Sequence, residues 1–224
     1  MPKAASSQPK TPMQMVEALN NRVAASARSY KMATVRYLLR PPLSLRAKYA
    51  AFLLDFAQQS DLISDVLGRA GERVADPAVA ELLRQHQREE KARIQLVLSD
   101  LRRLGYSDEL PDRPMTSGDA ALRAYCSNVS GERPHAMLGV MLALFGVAAE
   151  VSTSVVRLLS VGSVPREAMR WLLLRQSEDP RELQALLEKT AELIRDPVEQ
   201  SQLLEAVEVT GELLALGAAA RPAA

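Results

Sequence analysis

The stretch DPAVAELLRQHQREEKARIQLVLSDLRRLG, residues 76–105, decides the fold because it predicts one long helix with both ends marked. Asp76 suits the N-cap, Pro77 suits the first helical position, and Gly105 suits the left-handed residue that ends a helix. Apolar residues recur at helical spacing along one face: Val79, Leu82, Leu83, Ile94, Val97, Leu101 and Leu104. We therefore expect a helix over residues 77–104 that packs along this face.

Polar residues interrupt this apolar face at its centre. His86, Glu90 and Arg93 continue the three-and-four spacing from Leu83, and Glu89 lies beside them. Polar groups on a face directed at the core must be paired, bind a ligand or meet a gap in the packing. This cluster is the first candidate site.

The composition is that of a globular helical protein. The chain has 224 residues, of which 47% are hydrophobic, 25% charged and only 4% aromatic. This length can bury a substantial core, and few aromatics leave that core to Leu, Val and Ala, which favours helices. The net charge of +1 argues against binding to nucleic acid by charge alone.

The charges are unevenly distributed along the chain. Up to residue 50 the only acidic residue is Glu17, among many lysines and arginines, and acids dominate from Glu178 onward. The simplest interpretation is that the two ends pack near each other. The alternative is a scaffold or cargo module that uses its basic first helix for docking.

The single cysteine, Cys126, excludes an internal disulfide and a cysteine metal site, and we expect it to be a small core residue. No signal-peptide run precedes the first helix, and the apolar stretch 137–149 is too short to span a bilayer before Glu150 interrupts it. We predict a cytoplasmic protein that does not bind membranes, with stretch 137–149 inside a buried core helix.

The helical pattern predicts a disordered tail over residues 1–11, one helical domain over 12–217 and a flexible tail over 218–224. We expect about eight helices: 12–40, 44–71, 77–104, 117–128, 134–161, one from about 165, and two opened by the Asp-Pro pairs at 179–180 and 196–197. Residues 106–116, with two prolines, predict a loop. No strand pattern appears, so the fold class is an all-α bundle.

The helix over 134–161 offers a second polar position. Small residues follow one face at Gly139, Ala143 and Gly146, and Glu150 continues that face. Such residues permit close helix approach or leave a cavity. If this face meets the polar cluster, His86, Glu89 or Glu90, Arg93 and Glu150 form a buried site. The alternative is an Arg93–Glu150 or Arg93–Glu90 ion pair without further function.

The order of these elements resembles the heme-oxygenase-like fold shared by TenA-type thiaminases, the cofactorless quinone-synthesis oxidase, and the iron-containing redox enzymes (heme-oxygenase-like di-iron oxidases). Three segments carry the resemblance: LSLRAKYAAFLLDFAQQ at 43–59, HQREEKARIQLVLSDLRRLG at 86–105, and the alanine- and leucine-rich helix leading to Glu150. The resemblance covers most of residues 43–187 and implies a single helical bundle.

The resemblance also implies a degenerate ligand set. The iron-containing members place a Glu and a His seven residues apart on the organising helix, where this chain has His86 and Arg93, and a later Glu, which Glu150 matches. Their final His, Asp and His correspond to Arg175, Asp179 and Glu182. A charged arginine cannot bind a cation, so the usual di-iron site is expected to be absent. Because Pro180 follows Asp179, we also expect Asp179 to be an N-cap and not a ligand.

Other members of the fold match no better. A heme oxygenase needs a proximal histidine on its first helix, and no histidine precedes His86. The TenA-type cysteine corresponds to Leu144 or Phe145. Whether the chain is an enzyme therefore stays open, and an enzyme of this pattern would be an oxygen-dependent oxidoreductase.

The leading hypothesis is a metal-free member without a cofactor, in which Arg93 and Arg175 contact a small anionic ligand while Glu150 and Glu90 hold the guanidinium groups. A protein partner, or a second copy in a homodimer, is the other option for this binding. The alternative is an atypical non-heme iron oxidoreductase with iron at His86, Glu90, Glu150 and Asp179.

Overall fold

The computed structural model describes residues 9–41, 44–106 and 116–221. Seven α-helices occur within these ranges: α1 (Pro12–Leu39), α2 (Leu45–Arg73), α3 (Pro77–Arg103), α4 (Ser117–Glu132), α5 (Met137–Val161), α6 (Arg170–Leu193) and α7 (Pro197–Ala220). Short 3-10 helices, Pro134–Ala136 and Arg166–Ala168, precede α5 and α6. The described ranges contain no β-strand, so the all-α prediction is confirmed, with seven α-helices instead of about eight.

The helix starts follow the predicted capping residues. Asp76 Oδ1 accepts hydrogen bonds from the N–H groups of Ala78 (2.7 Å) and Val79 (3.3 Å), and Asp196 caps α7 in the same way. Gly105 ends the stretch with φ +75°, a conformation open to glycine. The sequence therefore set the ends of α3 and the start of α7 through local hydrogen bonding.

The predicted helix start at residues 179–180 is wrong. Pro180 lies inside α6, and Asp179 is buried in the middle of that helix instead of capping a new one. A proline inside a helix costs about 3 kcal/mol. The helix continues because buried side chains anchor it on both sides of the proline, including Trp171 before it and Leu187 after it, and each buried side chain of this size contributes about 1.5–3 kcal/mol.

The centre of the bundle is α5, which packs against α1, α6 and α7. The other long predicted core helix, α3, packs mainly against α2 and, over a smaller area, against α6. The sequence left open whether the helix over 134–161 meets the polar cluster of α3. The two helices meet through side chains such as those of His86 and Phe145 and not along their backbones.

The small residues of α5 allow close helix approach. A Cβ atom on Gly139 would lie 2.5 Å from the carbonyl oxygen of Leu203 in α7, and a Cβ on Gly146 would overlap the Val23 side chain of α1. The small residues therefore bring α7 and α1 against the central helix, although Gly146 also borders a groove of about 420 Å³ between α1, α5 and α6.

The two oppositely charged ends of the chain pack together, as predicted, because α1 lies along α7. Arg22 of α1 pairs with Glu208 of α7 at the surface. Helix α7 continues to Ala220, past Gly217, where we expected it to end. The parts of the predicted tails and loop at residues 1–8, 107–115 and 222–224 lie outside the described residues.

One helical stretch among the described residues, Pro134–Val161, is long and apolar enough to cross a membrane, with a mean hydropathy of 1.8 over its most apolar window. Most of that window is buried inside the bundle. Its position is that of the core helix expected from the sequence.

Candidate functional site

Glu90 of α3 lies at the centre of a buried polar cluster. Its Oε1 accepts hydrogen bonds from Arg93 Nη1 (2.7 Å) and from Arg175 Nη2 of α6 (3.2 Å). Its Oε2 accepts a hydrogen bond from the hydroxyl of Ser60 in α2 (3.1 Å). Both oxygens of this carboxylate therefore have protein partners, and three helices meet at it.

Two further carboxylates neutralise the same arginines. Arg93 Nη2 lies 2.5 Å from Glu182 Oε2, and Arg175 Nη1 donates to Asp179 Oδ1 at 3.0 Å. We call the six residues the interior ion-pair network: Ser60, Glu90, Arg93, Arg175, Asp179 and Glu182. Two guanidinium groups thus face three carboxyl groups, and each guanidinium contacts two of them.

The network lies inside the bundle except at one end. Asp179 is 1% exposed, and Arg175, Glu90 and Arg93 are also buried. The side chain of Glu182 is 37% exposed, so solvent reaches the network there. Charges as deeply buried as these persist only when paired, and this set meets that condition.

Burial and pairing shift the acids in opposite directions. Burial raises the pKa of Asp179 to about 6, although Arg175 opposes the shift. Burial also disfavours ionisation of Glu90, but Arg175 and Arg93 outweigh it and lower the pKa of Glu90. Glu90 is the stable anion at the centre, and Asp179 is the group nearest to losing its charge.

Aromatic rings enclose the two arginines. The guanidinium carbon of Arg93 lies 4.9 Å from the centroid of the Phe145 ring, and that of Arg175 lies 5.5 Å from it. Arg175 also lies within 6 Å of the ring centroids of Phe56 and Trp171. Cation–π contacts of this kind stabilise desolvated arginines, and Phe145 is the point where α5 reaches the network.

His86 and Glu89 flank the network without joining it. The His86 ring packs edge-on against Phe145 with 5.3 Å between centroids. Its Nδ1 lies 2.9 Å from Glu89 Oε2, close enough for an ion pair but without the alignment of a hydrogen bond. The nearby imidazole lowers the pKa of Glu89 to about 2.

Glu150 does not reach the site, so the predicted Arg93–Glu150 pair is wrong and the Arg93–Glu90 alternative is correct. The side chain of Glu150 is 43% exposed and lies 2.5 Å from Lys31 Nζ of α1. The cause is helix geometry: five residues separate Phe145 from Glu150, which is about 140° around the helix axis. With Phe145 directed at the network, Glu150 must face away from it.

The fold is similar to that of solved structures. A domain of unknown function from Shewanella denitrificans, described as having a heme oxygenase-like fold, superposes with a TM-score of 0.71 at 17% identity, over 88% of this chain and 87% of that one. The chain has the heme-oxygenase-like fold. A TenA homologue from Pseudomonas syringae pv. tomato superposes with a TM-score of 0.67 at 16% identity, covering 97% of this chain and 95% of its own.

The sequence-based resemblance to the heme-oxygenase-like fold is therefore confirmed. No family model matches the sequence, and no curated protein does. At these identities the shared fold says nothing about a shared activity, which must be argued from the side chains.

The residues of this heme-oxygenase-like chain do not fit an iron centre. Within the described ranges, no group of three or more His, Cys, Asp or Glu side chains is placed to hold a metal ion. The alternative ligand set fails in particular, because Glu150 faces solvent and both oxygens of Glu90 are already bonded. A dication at Asp179 would also meet the charge of Arg175, 3.0 Å away.

The interior of the heme-oxygenase-like bundle has little free space beside the network. The apolar cavity bounded by Phe56, Trp171, Leu144 and Val151 has a volume of about 20 Å³, enough for about one water molecule. No organic ligand fits there without movement of the helices.

Sequence analysis missed four contributors to the site: Ser60, Phe56, Phe145 and Trp171. Ser60 carried a usable signal, because it lies four residues after Phe56 and three before Ile63 on the apolar face of α2. A lone hydroxyl on such a face needs a partner. Phe145 and Trp171 carried none, since aromatic residues in apolar helices are ordinary core residues.

Proposed function

We propose that the protein is a metal-free binding protein with the heme-oxygenase-like fold, whose interior polar site is structural and whose anionic ligand binds at the surface. The observation that carries this proposal is the set of contacts of Glu90. Ser60, Arg93 and Arg175 fill three of the roughly four lone-pair sites of its carboxylate, and two of these donors are guanidinium groups whose charge would repel a metal cation.

The same contacts argue against an anionic ligand at the interior arginines. Arg93 and Arg175 would have to exchange Glu90, Glu182 and Asp179 for the ligand, stranding buried carboxylates without partners. The adjoining cavity of about 20 Å³ offers no compensating space. The expected role of the interior arginines is therefore to hold α3 against α6.

A surface site is supported by the distribution of the remaining cations. Arg36 in the last turn of α1 and Arg40, its C-cap, are exposed and carry no ion pair within the described part of the chain. These side chains are available to an incoming anion, unlike those inside the bundle.

The proposal is tested by metal analysis together with one interior variant. Protein purified from iron-supplied cells is expected to hold far less than one iron or manganese ion per chain. Near-stoichiometric iron that disappears in Glu90→Ala would overturn the proposal and support the oxygen-dependent oxidoreductase.

The interior variant replaces Glu90 by Leu and Arg175 by Met together. We expect it to keep the helical circular dichroism spectrum and the affinity of the wild-type protein for anionic ligands. A folded variant that has lost anion binding would place the ligand in the interior and contradict the proposal.

A further inference from the structure

A groove runs between α1 and the C-terminal end of α7. It has a volume of about 290 Å³, and its lining includes Met32, Ala33, Arg36, Arg40, Ala218 and Arg221. We call it the α1–α7 groove. Its volume is close to the lower end of the range for small-molecule sites and far above the 20 Å³ of the interior cavity.

Positive charge is concentrated at one end of this groove. Arg36 lies in the last turn of α1 and Arg40, four residues later, is the C-cap of that helix. Both are exposed, and neither guanidinium has an ion-pair partner among the described residues. Two neighbouring guanidinium groups in this arrangement are suited to a carboxylate or a phosphate.

A third guanidinium group lies at the wall of the groove. Arg221 is buried, with Nη2 donating to the Tyr30 hydroxyl at 3.3 Å and Nε lying 2.9 Å from Asp55 Oδ2. Its Nη1 has no hydrogen-bond partner in the part of the chain that the structure describes. A buried N–H without a partner is costly, and an anion in the groove would supply an acceptor or favourable charge beside it.

The other end of the groove is apolar. Met32 is 52% exposed although it is a large hydrophobic residue, and Ala33 and Ala219 continue the surface beside it. Methionine is flexible and adapts to the shape of an apolar partner. Met32 of α1 and the C-cap residue Arg40 are eight residues apart, a rise of about 12 Å at helical spacing.

We propose that the α1–α7 groove binds a small anionic amphiphile, a carboxylate or phosphate head group carrying one apolar chain. Arg36 and Arg40 hold the head, and Met32, Ala33 and Ala219 contact the chain. This inference rests on the proposed function, since it names the surface site and the chemical class of the ligand. Its chemistry is that of a free fatty acid or alkyl phosphate and also of an anionic lipid in a membrane.

The test uses isothermal titration calorimetry of the full chain with decanoate and with decyl phosphate, below their micelle-forming concentrations. We expect one molecule bound per chain. Inorganic phosphate has the anionic head without the apolar chain, and decanol has the chain without the charge. Each is expected to bind at least tenfold more weakly, because phosphate loses the apolar contact and decanol loses the charge-assisted hydrogen bonds.

Three variants locate the site. Arg36→Ala combined with Arg40→Ala, and separately Met32→Glu, should each weaken decanoate binding at least tenfold. The matched control, Arg69→Ala with Arg123→Ala, removes two exposed arginines on α2 and α4 and should bind as the wild type does. Equal weakening by the control pair, or wild-type binding by the groove variants, would overturn the proposal.

Sedimentation with vesicles distinguishes the two sources of the ligand. If the protein binds decanoate and stays in solution with phosphatidylglycerol vesicles, the ligand is a free amphiphile. If it sediments with these vesicles and does not bind decanoate, the groove is a membrane-contacting surface and the small-ligand proposal is wrong. If the protein binds neither decanoate nor vesicles, the small-ligand proposal is also wrong. In that case the structural role proposed for the interior ion-pair network still stands, provided that the purified protein contains no metal.

Discussion

Glu90 of α3 accepts a hydrogen bond from Arg175 of α6 at 3.2 Å, joining two residues that are 85 positions apart in the sequence. The resemblance to iron-containing enzymes implied that Arg175 stands where those enzymes have a metal-binding histidine. In this chain the guanidinium itself supplies the positive charge that a carboxylate in this position requires. The arginines therefore neutralise this buried carboxylate.

The first prediction is that Glu90→Gln lowers the free energy of unfolding by about 3–5 kcal/mol, because it leaves Arg93 and Arg175 buried with too little negative charge. Replacing Glu90 by Leu and Arg175 by Met together should cost less, because one charge of each sign is removed and buried Asp179, which loses its partner Arg175, can take up a proton. Urea denaturation measures both. Glu150→Ala is the control and should change stability by less than about 1 kcal/mol, because its pair with Lys31 is exposed. A loss for Glu90→Gln as small as that of the control would show that the network does not stabilise the fold.

The second prediction concerns pH and Asp179. Burial raises the pKa of this group to about 6, from 3.8 in an unfolded chain. The folded protein therefore binds the proton more tightly, and the contribution of Asp179 to stability is full below about pH 4 and is lost as the pH rises through about 6. The slope reaches at most about 1.4 kcal/mol per pH unit.

Asp179→Asn removes this titration. The stability of the wild type relative to the variant should fall between pH 4 and pH 6.5 and stay constant above pH 7. Denaturation curves of both proteins at a series of pH values give this difference. Parallel stability profiles across the whole range would contradict the raised pKa.

The third prediction concerns the start of α6. Its N-cap residue, Met169, has no side-chain hydrogen bond to the helix, and Asp100 of α3 replaces it by accepting from the Trp171 N–H at 2.8 Å. Asp100→Ala should destabilise the protein by about 1–2 kcal/mol through loss of this cap. Asp100→Asn keeps an oxygen acceptor and removes the charge whose burial raises the pKa of Asp100, so its loss of stability should be smaller. Equal losses in thermal unfolding would show that the acceptor is not what matters.

The fourth prediction concerns the close contacts of α5. Gly146→Ala should destabilise the protein by about 1–3 kcal/mol, because the new methyl group overlaps the end of the Val23 side chain. Val23→Ala should relieve that overlap, so the double variant should be less destabilised than the sum of the single ones.

Gly139→Ala is the matched comparison for that cycle. Its new Cβ meets the backbone oxygen of Leu203, a contact that no side-chain substitution can remove. We therefore expect Val23→Ala to give no rescue of Gly139→Ala. If the stability changes of Gly146→Ala and Val23→Ala are strictly additive, then α5 and α1 move apart to avoid the overlap and the prediction is wrong.

The sequence by itself determined the features that depend on neighbours in the chain. Asp76, Asp196 and Gly105 set helix ends through hydrogen bonds and backbone conformations within one or two turns. The helical period of α3 likewise placed Glu90 and Arg93 on its buried face, as predicted. These properties need no knowledge of which helix packs where.

Tertiary structure decided which side chains from distant helices meet at the site. Helix α5 is apolar on nearly every side, so its sequence does not fix its rotation, and packing directed Phe145 inward and Glu150 to solvent. Packing also kept α6 continuous through Pro180, since burial on both sides outweighs one missing hydrogen bond. That continuity placed Asp179 four residues, about one turn, after Arg175, and brought both to Glu90. The physical reason is that an ion pair between distant helices depends on the packing of the whole bundle, which no local pattern encodes.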